Sequence, residues 1–309
     1  MSNISAKDVA ALRQKTGLGI LDCRNALVEA GGDVDAAVRL LREKGMATAA
    51  KKEGRIAAEG LVDILTEGGS TAIVEVNCET DFVAKNESFK EFVKGLLRTI
   101  LKETPADVAA LLAKNFDGTS ATVEATLIEQ IAVIGEKLAI RRFQVLTGTC
   151  ATYLHGNGVA GSVVKLNDCA TCAGKAELAE MGRNLAMQIA SGTPPAYISK
   201  ADVPASIIEE EKNVLLAQIQ NDPANAKKPE SVIEKMITGR VDKFYTTACL
   251  LEQDYVKDPD MTVGEYIASV GKALGCEISV AAFVLYEKGE GIEKKEEDFA
   301  AEIAKMTGQ

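Results

Sequence analysis

A chain of 309 residues, 47% apolar and 26% charged, is long enough for two or more domains at roughly 150 residues each, with a sizeable core. It has no apolar run of roughly 18 residues that would cross a bilayer, and its net charge of −10 argues against nucleic acid as main partner, because phosphate neutralisation dominates that affinity. Seven scattered cysteines predict no disulfide framework, and the first residues lack an apolar signal segment, so a cytoplasmic protein is expected, without direct nucleic-acid or membrane contact. Residues 1–55 hold ten Lys/Arg against seven Asp/Glu, +3, which leaves −13 for the rest. An ordinary solvated face explains that segment better than an RNA or an acidic protein surface.

Residues 1–45 read as three short helices. Ser5 with Asp8 makes a capping-box start, and Val9 and Leu12 open the apolar face. Thr16-Gly17-Leu18-Gly19 breaks the first helix, residues 20–29 form the second, and Gly31-Gly32 ends it. Asp33 caps the third, which carries Ala37, Val38, Leu40 and Leu41 and ends at Gly45. Three helices with a Gly-x-Gly turn resemble a ubiquitin-associated-like (UBA-like) module, a class that binds proteins. Residues 46–55, basic through Lys51, Lys52 and Arg55, suit a connector.

From Ile56 the pattern is strand, glycine turn, strand, loop, helix. Residues 61–65 alternate weakly and Gly68-Gly69 turns. Residues 73–78 then alternate in period 2, with Val74, Val76 and Cys78 on one face and Glu75 and Asn77 on the other, which predicts a half-buried strand. Phe89, Phe92, Val93, Leu96, Leu97 and Ile100 fall at helical spacing, with Asn86 or Ser88 to cap a helix over 86–102. Thr80-Asp81-Phe82-Val83, between them, belongs to neither pattern. Phe82 is either tucked back into the core or offered to a partner, and residue statistics favour the first.

Pro105 opens a second helical region, residues 128–135 give a third, and 139–146 return to strand-like content. A similar order recurs: 152–155 extended, 156–161 turn, 162–166 strand, then a helix with Leu178, Met181, Leu185, Met187 and Ile189. Pro194-Pro195 punctuates, and residues 207–219 and 230–244 form two helices joined around Asp222-Pro223 and Lys227-Lys228-Pro229. Residues 278–286 supply a late strand, and Gly289 and Gly291 precede a tail helix with Phe299, Ile303 and Met306. The fold expected is α+β, with two repeated subdomains carrying antiparallel sheets. Its division is 1–55 UBA-like module and connector; 56–146 first core subdomain; 147–199 with 241–288 second core subdomain; 200–240 inserted helical hairpin; 289–309 C-terminal helical module.

Motifs for chemistry are weak. Residues 156–161 (GNGVAG) match the G-x-G-x-x-G string of a dinucleotide loop, but a strand follows where a phosphate-binding helix is needed, so a hairpin turn explains them better. Cys169-Ala-Thr-Cys172 lacks a second ligand pair for zinc, and ordinary loop thiols are favoured over a metal or thioredoxin-like site. His155 is the only histidine and no G-x-S-x-G accompanies it. No catalytic constellation, cofactor or metal site is expected, and a binding protein is.

Residues 12–27 (LRQKTGLGILDCRNAL), 75–85 (EVNCETDFVAK), 134–138 (IGEKL) with Arg141-Arg142, 153–156 (YLHG), 186–190 (AMQIA), 289–294 (GEGIEK) and 298–301 (DFAA) together resemble the elongation factor Ts family. These are guanine-nucleotide exchange factors of the translational GTPase elongation factor Tu, and the likeness covers nearly the whole chain. It implies no bond-making chemistry, but GDP release by dislodging Mg²⁺ from the GTPase and opening its nucleotide site for GTP. It implies that Asp81 and Phe82 project into the partner within the Thr80–Val83 stretch, that Ile134, Gly135 and His155 extend the contact, and that Cys23, Arg24, Lys52 and the tail also touch it. The hairpin would carry contacts between two copies in a homodimer. Two positions depart from the family: Gln188 stands where a histidine is common, and Val256-Lys257 where some members present Val-Met. Against this reading stand a structural adaptor acting through the three-helix module, and a thiol oxidoreductase acting through Cys169 and Cys172.

Overall fold

The computed structural model describes residues 4–167, 172, 174–191, 193–221 and 228–293. Helices α1 (Ala6–Thr16), α2 (Ile20–Glu29) and α3 (Val34–Lys52) start the chain. The sequence caps are realised. Ser5 and Asp8 form the capping box, Gly17 closes α1 in the left-handed conformation, and the Asp33 carboxylate accepts from the Asp35 and Ala36 amides. Val9, Leu12, Cys23, Ala26, Leu27, Ala37 and Leu41 form the small core between them.

Helix α3 does not end at Gly45; it runs 19 residues to Lys52. Gly45 sits mid-helix where α3 packs along α7 (Val123–Ile134), and an added Cβ would lie at ordinary contact, 3.5 Å from Ile128 and 3.6 Å from Ala132. The residues after it, Met46, Ala47, Ala49 and Ala50, are good helix formers that carry the turn onward.

Strands β1 (Glu59–Glu67), β2 (Ser70–Cys78) and β3 (Ala139–Thr147) make one antiparallel sheet, ordered β1-β2-β3. Strands β4 (Cys150–His155), β5 (Ala160–Leu166) and β8 (Val280–Glu287) make a second, also antiparallel. Helix α5 (Glu87–Glu103) lays Phe89, Phe92, Val93, Leu96, Leu97 and Ile100 against Val74, Val76 and Cys78, as its spacing predicts. The other face of this sheet is covered as well. Val62 and Ile73 meet Val163, Val284 and Tyr286 of the second sheet. Strand β2 is therefore buried on both faces, and Glu75 and Asn77, expected on a solvated face, are 0% and 1% exposed. Period 2 located the strand but could not show what lies over it.

The β4–β5 connection is a hairpin turn, as expected, and not a phosphate loop, but it is shorter than 156–161, because Ala160 and Gly161 already pair with β4 as the start of β5. Gly158, with φ 92°, lies on β1: a Cβ there would fall 2.0 Å from the Leu61 Cδ1 and 2.8 Å from the Val62 carbonyl oxygen. The Val62 amide donates to the Gly158 carbonyl at 2.9 Å. Helices α8 (Ala176–Ala190) and α11 (Val263–Leu274) cover the second sheet, and α9 (Ala205–Asn221) packs along α10 (Glu230–Ala248). The short strands β6 (Asp254–Tyr255) and β7 (Asp258–Thr262) form a two-stranded turn. Mixed helix and antiparallel sheet make the chain α+β.

One cysteine expectation is overturned. Cys172, read as a loop thiol, is buried and disulfide-bonded to Cys276, 104 residues away. Chain distance hides that pairing, and the fold supplies it. Cys169 and the tail-helix residues Phe299, Ile303 and Met306 lie outside the described residues. No described helix is long and apolar enough to cross a membrane.

Candidate partner-binding site

Between β2 and α5 the Thr80–Val83 stretch folds as the start of a five-residue helix, α4 (Asp81–Lys85). A helix this short has too few internal hydrogen bonds to persist alone. Thr80 caps it, its Oγ1 accepting from the Val83 amide at 3.4 Å, and Val83 and Ala84 pack against the α5 core. Asp81 and Phe82 are thereby turned outward. The Phe82 ring is 80% exposed, which reverses the buried reading that residue statistics favour. Asp81 is ion-paired with Lys85 at 2.6 Å, and the hydrogen bond from that ammonium holds its carboxyl below the usual range.

The approach to α4 is gripped from the turn after α7. Glu136 Oε2 accepts from the Glu79 and Thr80 amides at 3.1 and 3.0 Å, and Oε1 from the Thr80 hydroxyl at 2.6 Å. Glu79 returns the contact, its Oε1 accepting from the Lys137 amide at 2.6 Å and pairing with Arg55 at 3.3 Å. Ile134 ends α7 and Gly135 closes it with φ 83°, a left-handed position that suits glycine. The Lys52 ammonium donates to the Gly135 carbonyl, and the Lys137 ammonium to the Glu53 and Arg55 carbonyls at 2.6 and 2.9 Å. Lys52, Gly135 and Thr80–Val83, far apart in sequence, are thus brought together, with Ile134 half-buried against the α5 core beside them. Cys78, just before it, donates to the Thr80 carbonyl at 3.1 Å, and burial, then the Glu136 and Glu59 carboxylates, push its thiol up to about 12.

The remaining candidates sit elsewhere. His155 is exposed at the end of β4, with the Tyr153 hydroxyl 3.4 Å from its Nδ1, and exposed Leu154 and Val159 flank it. Arg24 is exposed on α2. Cys23 is not a surface residue: it is 0% exposed in the three-helix core, so it supports α2 and offers no side chain to a partner. Val256 is 48% exposed on the β6–β7 turn. Its amide donates to Gln188 Oε1 at 2.8 Å, while Gln188 Nε2 donates to Gln253 Oε1 and the Asp254 carbonyl, both at 3.2 Å. The Lys257 ammonium reaches Asn184 Oδ1 at 2.7 Å, one helical turn from Gln188 on the same face of α8. Gln188 and Lys257 therefore hold one turn together.

The network around Glu75 was missed from sequence. Its Oε1 accepts from Arg141 at 2.9 Å, Asn77 at 3.1 Å and the Gly289 amide at 2.8 Å, and its Oε2 from Arg142 at 2.7 Å. Arg142 goes on to Glu290 at 2.7 Å and lies 4.2 Å over the Tyr286 ring. Burial alone pushes the Glu75 carboxyl up, but these donors outweigh it and hold it below the usual range. The signal was present in a lone carboxylate inside an apolar strand and an Arg-Arg pair later in the chain.

A family model described as Elongation factor TS matches residues 79–290. The chain is 45% identical over 308 residues to the elongation factor Ts of Syntrophotalea carbinolica, covering 98% of this chain and 99% of that protein. It is 46% identical over 310 residues to the elongation factor Ts of Clostridioides difficile, covering 99% of each, and 45% over 315 residues to that of Symbiobacterium thermophilum, covering 100% and 99%. With these relatives along its full length and the α+β fold beneath them, the chain belongs to the elongation factor Ts family of translation elongation factors.

Proposed function

We propose that this protein binds elongation factor Tu loaded with GDP and promotes GDP release by displacing the partner's Mg²⁺ and opening its nucleotide site, so that GTP can enter. It makes and breaks no bonds; nucleotide and metal belong to the partner. The observation that supports this most directly is the Phe82 ring, 80% exposed at the tip of a capped single-turn helix. An aromatic held in water by built structure is one whose apolar surface is available to a partner's pocket.

Exchange follows from linkage. A factor that binds the empty GTPase better than the loaded form weakens nucleotide binding by the same ratio. A 10⁴-fold weakening takes roughly 5.5 kcal/mol of differential affinity, while burying one Phe is worth about 1.5–3 kcal/mol. Phe82 must therefore act with loss of the metal and with further contacts. In this reading Thr80, Asp81 and Val83 present the wedge, and Ile134, Gly135, Lys52, Arg24, His155 and Val256 spread the interface. Asp81 brings negative charge toward the metal site, and must leave or share Lys85 to do so. The α9–α10 hairpin, with Val214 and Val232 exposed, serves contact with a second copy.

The test is release of a fluorescent GDP from the cognate elongation factor Tu on adding this protein. Acceleration supports the proposal, and unchanged release refutes it in favour of an adaptor. Sedimentation of the free chain tests the dimer; a monomer at micromolar concentration refutes that part.

A further inference from the structure

Glu136 meets three donors with two oxygens: the Glu79 amide, the Thr80 amide and the Thr80 hydroxyl, at 3.1, 3.0 and 2.6 Å. The hold is reciprocal, since the Glu79 carboxylate takes the Lys137 amide at 2.6 Å. The two segments are thus hooked to each other in both directions, through the two residues before α4 and the two after Gly135. Hydrogen bonds to a charged acceptor are the strong ones. They fall on the peptide units that set the direction in which α4 leaves β2.

We propose that Glu136 is a positioning residue for Phe82: its carboxylate fixes the entry into α4, and so the line along which the ring stands away from the surface. This rests on the exchange reading of Phe82. An exposed aromatic on an unsupported five-residue helix gains by folding back onto nearby apolar surface, and each such conformer must be undone before docking. The Glu136 bonds remove that freedom in advance. The same turn is held to the end of α3, through Lys52 on the Gly135 carbonyl and Lys137 on the Glu53 and Arg55 carbonyls. The clamp therefore also sets Phe82 in register with the three-helix module.

A residue that merely stabilises the fold would not act through Phe82, and a double-mutant cycle separates the two roles. Maximal release of fluorescent GDP is measured for wild type, Glu136→Ala, Glu136→Gln, Phe82→Ala and the Phe82→Ala/Glu136→Ala pair. Glu136→Ala is expected to slow maximal release roughly 10- to 100-fold, the scale of a misplaced reacting group, with a smaller change in the concentration giving half-maximal rate. Glu136→Gln keeps an oxygen for the two amides and recovers most of the rate. In the Phe82→Ala background Glu136→Ala adds nothing. Equal factors in both backgrounds, or wild-type release by Glu136→Ala, overturn the proposal. If Glu136→Ala unfolds, Glu136→Asp, whose carboxylate is one methylene too short to reach both amides, carries the same cycle with the same two outcomes.

A second readout does not depend on exchange. The chain has no tryptophan, so Phe82→Trp introduces a single indole at the site. Its fluorescence anisotropy is expected to fall when Glu136→Ala is added at an unchanged circular-dichroism spectrum, and unchanged anisotropy overturns the positioning role. Wild-type release by Phe82→Ala refutes the wedge reading alone, and the anisotropy then decides whether Glu136 orients the segment.

Discussion

The amide of Gly289 donates to the buried Oε1 of Glu75 at 2.8 Å, across 214 residues of chain. With Arg141 and Arg142 on the same carboxylate, and Arg142 continuing to Glu290, that bond ties the middle strand of one sheet to the chain leaving the other. Replacing Glu75 by Ala leaves the Gly289 amide buried without its acceptor and takes from Arg141 and Arg142 the carboxylate they share, leaving them Glu290, and should cost about 3–5 kcal/mol in urea unfolding. A loss below about 1 kcal/mol would show that water replaces the carboxylate without penalty.

The same carboxylate gives a pH dependence. Its pKa is lowered in the folded state, so its contribution is present above the ordinary Glu value, near 4.3, and is lost as pH falls through the lower folded value. The stability difference between wild type and Glu75→Gln should therefore be constant near neutrality and shrink only in that acid window. A difference that already declines at pH 6 would contradict the sign.

Gly158→Ala tests the seat of the β4–β5 hairpin on β1. The new methyl would overlap Leu61 and approach the Val62 carbonyl at a φ of 92° that alanine avoids. A loss of about 1–3 kcal/mol is expected, with slower GDP release because His155 sits at that hairpin's edge. Unchanged stability and release would mean that the hairpin is free of β1.

Gly45→Ala should do the opposite. Its methyl would meet Ile128 and Ala132 only at ordinary contact, 3.5 and 3.6 Å, and glycine in a helix interior costs about 0.5–1 kcal/mol relative to alanine. Thermal unfolding should rise slightly. A fall would show that α3 needs closer approach to α7 than this structure has.

Gln188→Ala leaves the Val256 amide without its acceptor and should cost about 1–3 kcal/mol. Adding Lys257→Ala should cost less than in wild type, because both side chains hold one turn. Strict additivity by thermal unfolding would separate the two departures.

What could be read from sequence was local. The Ser5–Asp8 and Asp33 caps, the apolar stripe of α5 and the glycine turn at 156–161 each depend on neighbours in the chain. What escaped depends on distant residues. The Gly45 helix continues because α7 lies against it. Glu75 is buried because a second sheet and the Gly289 segment cover it, and Cys172 finds Cys276 only in the fold. Phe82 divides the two: resemblance gave its outward reading against residue statistics, and the Glu136 grip that supports it was visible only in space.

The role of Phe82 as a wedge is tested by GDP release from cognate elongation factor Tu at saturating wild-type and Phe82→Ala protein, with binding to the GTPase measured alongside. Release should be fast with wild type and clearly slower with Phe82→Ala, while binding is largely retained by the rest of the interface. Equal release rates for the two proteins would contradict it.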